Sequence, residues 1–156
     1  MSEQPENLSG VRVHPPLLTL VHLLAAFFLG WLLPLPLPSP GLVALAGWVI
    51  VAFALGLAFW AVSRFRGAQT TLNPHGGTTA IVMSGPYRFT RNPIYVGYVC
   101  LLIGFPLVLD SPWGLLLAPV LMLFMDRLVI EYEEAYLAQQ FGQEYLDFKS
   151  RVHRWI

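Results

Sequence analysis

Four long apolar runs organise the chain, at residues 17–33, 42–62, 94–109 and 113–130. A bilayer core of about 30 Å takes about 20 helical residues, with about 17–25 as the working range. The second run meets this outright, and the others reach it by borrowing flanking residues. None alternates in polarity as barrel strands do, so the runs predict membrane helices. The connection 34–41 holds four prolines and no charge, and Asp110–Ser111–Pro112 forms a second short turn. Both predict tight turns at a membrane surface. The segment 63–93 is polar and rich in Gly and Pro. The chain is therefore expected to be an all-α membrane protein, one integral membrane domain over 1–156. It comprises a polar tail at 1–13, about four transmembrane helices, a cytoplasmic loop at 63–93 and a C-terminal helix at 131–156.

That last segment changes period. Leu137, Phe141, Tyr145, Phe148, Val152 and Trp155 succeed one another at intervals of four and three, which makes one apolar stripe on a helix. Gln139, Gln143, Glu144, Asp147 and Lys149 lie opposite. The pattern fits an amphipathic helix that packs on its own domain, or one at the membrane interface with Trp155 as anchor.

Composition strengthens the membrane reading. Hydrophobic residues make up 56% of the chain and charged ones 12%, with a mean hydropathy of +0.60. Soluble domains average about 25% charged residues. The net charge is zero and no basic stripe exists, so nucleic acid is not an expected partner. The lone cysteine, Cys100, lies in an apolar run and reads as a small core hydrophobe. The first ten residues lack a basic n-region and are expected to be a retained, solvated tail. None of the nine Lys/Arg residues falls in the two short turns. With four spans all nine lie on one side, which the positive-inside rule makes cytoplasmic, together with both termini.

Polar chemistry gathers in two places. The first is GPYRFTRNPIYVG at 85–97. Pro93 suits the first turn of a helix, whose free N–H groups favour a carboxylate or phosphate. Arg88 and Arg91 stand just before it, and Tyr87 and Tyr95 add aromatic faces and hydroxyls. The second is Asp126, Arg127, Glu131, Glu133 and Glu134 at the end of the fourth run. On a continuous helix Arg127, Glu131 and Glu134 share a face. Ionisable groups at membrane depth pair or line polar cavities. A basic-aromatic membrane boundary with a salt-bridge ladder accounts for both clusters. So does a site for a zwitterionic amino acid that carries a sulfonium, with arginine on its carboxylate and glutamate on its ammonium. No metal site is read.

The ordered blocks G-P-Y, R-N-P-x-Y and E-E-x-x-L-x-x-x-F-G-x-x-Y closely resemble the isoprenylcysteine carboxyl methyltransferase family and its phospholipid methyltransferase relatives. The similarity covers roughly 71–156. It implies an integral membrane enzyme that uses S-adenosylmethionine. It implies a cofactor pocket built from Tyr87, Arg91, Asn92, Pro93, Tyr95, Glu133, Glu134 and Tyr145, with Phe141 and Gly142 in the second block, and Arg88 is expected to join it by its place just before Pro93. Arg91 is expected to hold the cofactor carboxylate and Glu133 or Glu134 its positive end, with Arg91 and Glu134 carrying catalysis. Many members have His where this chain has Asn92, and an amide does no acid–base work there. His75 falls in the loop that leads to the first block. The eukaryotic farnesyl-cysteine enzymes have more helices, so the resemblance points to a compact prokaryotic form in an inner membrane. The expected acceptor is a lipophilic carboxylate of the prenylcysteine type, with a phospholipid amine second. A carboxylate acceptor needs no general base, and no residue stands out as one. A steroid-reductase-like NADPH oxidoreductase shares an R-x-P-x-Y block, but its usual Asn and Glu are replaced here by Ile94 and Tyr98. A non-enzymatic membrane scaffold is the remaining alternative.

Overall fold

The structure, a computed structural model, describes residues 13–67 and 80–156, with backbone alone for 65–67. His75, most of the polar tail and the middle of the 63–93 loop lie outside the described residues. Among the described residues every regular element is helical.

Helix α1, Pro15–Leu32, begins on two prolines whose fixed φ suits a first turn. Helix α2 spans Pro40–Gly67. A 3-10 turn at Gly85–Arg88 precedes α3, Pro93–Val108, which starts at its proline as the sequence predicts. Helix α4, Trp113–Met125, passes through a π turn at Asp126–Ile130 directly into α5, Glu131–Phe141. Helix α6 is Gln143–Arg151. Among the described residues three helical stretches are long and apolar enough to cross a membrane: Pro15–Leu32, Pro40–Arg64 and Trp113–Phe141. The apolar α3 has 16 residues, about 24 Å at 1.5 Å per residue.

Helix α3 packs against α1, α2 and α4 and forms the centre of the bundle. Its crossing with α2 is close because both sides lack side chains. A Cβ on Gly104 would lie 3.0 Å from the Gly47 carbonyl oxygen, and one on Gly47 would lie 2.8 Å from that of Gly104. Small residues at such crossings let helix backbones approach where lipid removes the hydrophobic drive. One core of Ala26, Val99, Leu102, Leu121, Met125 and Ile130 joins α1, α3, α4 and the π turn. The outward faces present Leu24, Phe28, Trp31, Trp48, Phe53 and Phe59, all exposed, as surfaces that meet acyl chains do. At one end the two short turns are tied together. The Leu37 N–H donates to Asp110 Oδ1 at 3.2 Å, and Trp113 Nε1 donates to the Leu33 carbonyl at 2.9 Å.

The expected single helix over 131–156 is two helices. Gly142 adopts φ +53 and ψ −126, a region essentially open to glycine alone, and ends α5. The apolar stripe is spent on the protein itself. Tyr145 and Phe148 are buried against Ala61, Val82 and Tyr87, with Leu137, Phe141 and Val152 around them. Trp155 is partly buried and packs on the bundle core, as do Tyr95 and Tyr98. Lys149, expected on the solvated side, turns inward to a carboxylate.

Candidate functional site

The two polar clusters meet at the end of the bundle opposite the short turns. Helix α3 and the 3-10 turn bring the first, and α5 brings the second. The residues after α6 close the gap. Residue 153 runs beside residue 91, and the backbone N–H of Arg91 donates to the His153 carbonyl at 3.0 Å. The Thr90 hydroxyl and the Asn92 side-chain amide both donate to the Arg154 carbonyl, at 3.1 and 3.0 Å. Asn92 therefore holds a strap of chain in place, work that an amide does without changing charge.

Glu134 is the hub. Its side chain is 8% exposed, and three cations converge on it. Arg91 Nη2 lies 3.0 Å from Oε1, Lys149 Nζ 2.8 Å from Oε2, and Arg154 contacts both oxygens at 2.9 Å in a bidentate grip. The bidentate form is the strong one. Hydrogen bonding to Glu134 holds the Arg154 guanidinium above its ordinary range, where it is always charged. Arg154 also reaches Asp126 at 3.2 Å, and the Trp155 indole N–H donates to the same carboxylate at 3.2 Å. Asp126 is the first residue of the π turn, so the strap is fastened where the helix takes an extra residue per turn.

Glu133 lies about 100° further round α5 and faces another way. Its Oε1 accepts from the Tyr95 hydroxyl at 2.6 Å, and among the described residues no cation pairs with it. Tyr98 stands beside Tyr95 with ring centroids 6.1 Å apart. Arg91 is also incompletely matched. Its side chain is 9% exposed, its Nη2 serves Glu134, and its Nε is buried with no acceptor among the described residues. Among the described residues there is thus, on either side of a saturated carboxylate, a buried donor without an acceptor and a carboxyl group without a cation.

Tyr87 and Tyr145 are buried beneath this layer. Burial, with a smaller push from Glu134, raises the Tyr145 phenol to about 12, and burial also raises that of Tyr87. Both remain neutral at physiological pH. Pro93 is buried at the start of α3. Arg88 is the predicted site residue that does not join: it is exposed and makes no bond among the described residues. The ladder of Arg127, Glu131 and Glu134 does not form as a unit. Arg127 and Glu131 pair at 3.2 Å on the outside, while Glu134 turns inward. An interval of three leaves a helix about 60° short of a full turn, enough here to separate surface from interior.

Sequence reasoning missed Lys149 and Arg154 as partners of Glu134, and Trp155 as a partner of Asp126. The helical stripe pattern assigned Lys149 and Trp155 by period and left Arg154 out, and the helix break at Gly142 lies between that pattern's two halves.

Among curated proteins, the chain is 43% identical to the mouse (Mus musculus) protein-S-isoprenylcysteine O-methyltransferase over 77 residues, 48% of this chain and 26% of that protein. It is 38% identical to the human (Homo sapiens) protein of the same name over 96 residues, 60% of this chain and 32% of the other. To the yeast (Saccharomyces cerevisiae) counterpart it is 35% identical over 74 residues, 46% of this chain and 30% of the other. The chain thus spans about a third or less of the length of these relatives. No solved structure is similar enough to count as a match. The phospholipid methyltransferase family profile matches residues 42–144, about two thirds of the chain, and the chain belongs to that family.

Proposed function

We propose that this chain is a membrane-embedded, S-adenosylmethionine-dependent methyltransferase whose acceptor is a lipophilic carboxylate of the prenylcysteine type. One observation carries the cofactor reading: the complementary orphans at Arg91 Nε and Glu133. An α-amino acid that also bears a sulfonium brings an anion for the first and cations for the second. Arg91 offers a buried N–H to the carboxylate. Glu133, beside Tyr95 and Tyr98, offers a negative, aromatic surface to the cationic part. S-adenosylmethionine supplies an already activated methyl group, so the chain's own task is alignment and the exclusion of water. Proximity of this kind is worth about 7–11 kcal/mol. Glu134, the alternative partner for the positive end, is already matched by three cations, and that role passes to Glu133. Glu134 instead holds Arg91 in position.

The acceptor is inferred from the names of the relatives and from the apolar bundle beside the site. The family description favours a phospholipid amine as the second reading. In this reading α3 also spans the membrane, which gives four spans with the polar end of the bundle in the cytoplasm of a prokaryotic inner membrane.

The test is cofactor titration on purified protein in lipid nanodiscs. S-adenosylmethionine is expected to bind and NADPH is not. Glu133→Gln should weaken binding at least about tenfold, the loss of about 1.4 kcal/mol. Unchanged affinity in both Glu133→Gln and Arg91→Ala would place the cofactor elsewhere. NADPH binding would favour an oxidoreductase.

A further inference from the structure

Helix α1 carries two polar residues within its apolar span, Thr19 and His22, and both face inward. His22 is 8% exposed. An imidazole at this depth is costly unless it is paired or used. The ring is only half paired. Its Nδ1 lies 2.8 Å from the Leu18 carbonyl oxygen. A carbonyl only accepts, so Nδ1 carries the proton and the neutral ring keeps a lone pair on Nε2. Among the described residues nothing bonds to Nε2. The ring meets the edge of Phe124 on α4, with centroids 5.7 Å apart, and Phe124 is itself 42% exposed on the outer face. Its helical neighbours Leu18 and Ala26 belong to the core region that also holds Tyr95, Tyr98 and Met125. A basic nitrogen thus sits in the seam between α1 and α4, behind one aromatic ring from the lipid side, on the core that reaches the candidate site.

We infer that His22 is the proton acceptor for a lipidic carboxylic acid that enters this seam. The inference rests on the proposed acceptor class. An acid leaving water for an apolar bundle is driven toward its neutral form, and a lone imidazolium there is penalised by the same desolvation, so the proton moves only when the two groups touch and their opposite charges offset that cost. The neutral acid is a poor nucleophile. His22 resolves this in one step: the O–H bond breaks, its electron pair stays on oxygen, and the proton bonds to Nε2. The result is a carboxylate held against an imidazolium. After ester release the imidazolium returns the proton to water.

The test uses ¹⁵N-histidine protein in nanodiscs, probed with N-acetyl-S-farnesylcysteine and with its methyl ester, which lacks the acidic proton. The chain has four histidines, and His22→Phe identifies the resonance. The free acid is expected to move Nε2 of His22 from the unprotonated to the protonated region, while the ester leaves it in place. His22→Phe should bind the acid at least about tenfold more weakly and the ester within about twofold of wild type. If the wild-type resonance ignores the acid, or answers acid and ester alike, His22 is only a packed helix residue and the inference fails. That readout needs no variant to fold. Product formation by the wild type with S-adenosylmethionine is scored separately. Methylation with a silent His22 overturns this inference alone, and a responsive His22 without methylation overturns the proposed reaction alone.

Discussion

Two adjacent glutamates take opposite parts. Glu134 gathers Arg91, Lys149 and Arg154, so its removal leaves the buried Arg91 and two partly exposed cations without their anion. Breaking a buried pair on one side typically costs about 3–5 kcal/mol. Glu134→Gln is therefore expected to lower thermal stability sharply in detergent, whether or not cofactor is present. Among the described residues Glu133 has a tyrosine partner and no cation. Glu133→Gln keeps a hydrogen-bond acceptor for Tyr95 and should melt close to wild type while losing cofactor affinity. If Glu133→Gln melts early and Glu134→Gln does not, the division of labour is reversed. Gly142 tests the backbone alone. A Cβ there meets nothing within 4 Å, so Gly142→Ala adds no clash and reports only the strain of φ +53. A cost of about 1–3 kcal/mol is expected in denaturant or thermal unfolding. No loss would mean that the α5–α6 corner relaxes to another conformation.

At the scale of elements, α2 both crosses α3 and packs on the Gly85–Arg88 turn, so the α2–α3 crossing is the one to test. It depends on Gly47 and Gly104 having no side chains. A Cβ on Gly104 would lie 2.8 Å from Val51 Cγ2 and 3.0 Å from the Gly47 carbonyl oxygen. Gly104→Val forces the helices apart and should reduce stability by about 1–3 kcal/mol, the usual cost of overpacking. Gly56, on the same helix as Gly47, has open space around it, and Gly56→Ala serves as the control that should melt as wild type. The strap after α6 is the second device. Trp155→Phe removes the indole N–H from Asp126 but keeps the aromatic packing on the core. It isolates that hydrogen bond, worth about 1.5–3 kcal/mol to a charged acceptor. Urea or thermal scans that show no difference would make Trp155 a packing residue only.

For the whole molecule, the proposed four spans put the start of α1 and the end of α6 on one side of the membrane. Reporter fusions before α1 and after α6 are expected to give the same cytoplasmic signal. A reporter in the Asp110–Pro112 turn should give the opposite one. Opposite signals at the two ends would make the 16-residue α3 a helix that does not cross.

The helices themselves were legible in the sequence. Runs of apolar residues bounded by proline leave the backbone no option in lipid except to satisfy its own hydrogen bonds. The start of α3 at Pro93 was legible for the same local reason, and the motif blocks marked the residues that gather at the site. Local period said nothing about partners far along the chain. The distance from Arg91 to Glu134, the choice of Glu134 over Glu133 as the hub, and the return of Arg154 and Trp155 to Asp126 depend on how separate helices cross. A glycine at 142 and a π turn at 126–130 each rotate the helix on their C-terminal side, and small rotations decide which carboxylate meets three cations and which meets a tyrosine hydroxyl. His22 shows the same limit. Its sequence context is one more apolar helix, and only the packing of α1 on α4 reveals that one ring nitrogen is bonded and the other is not.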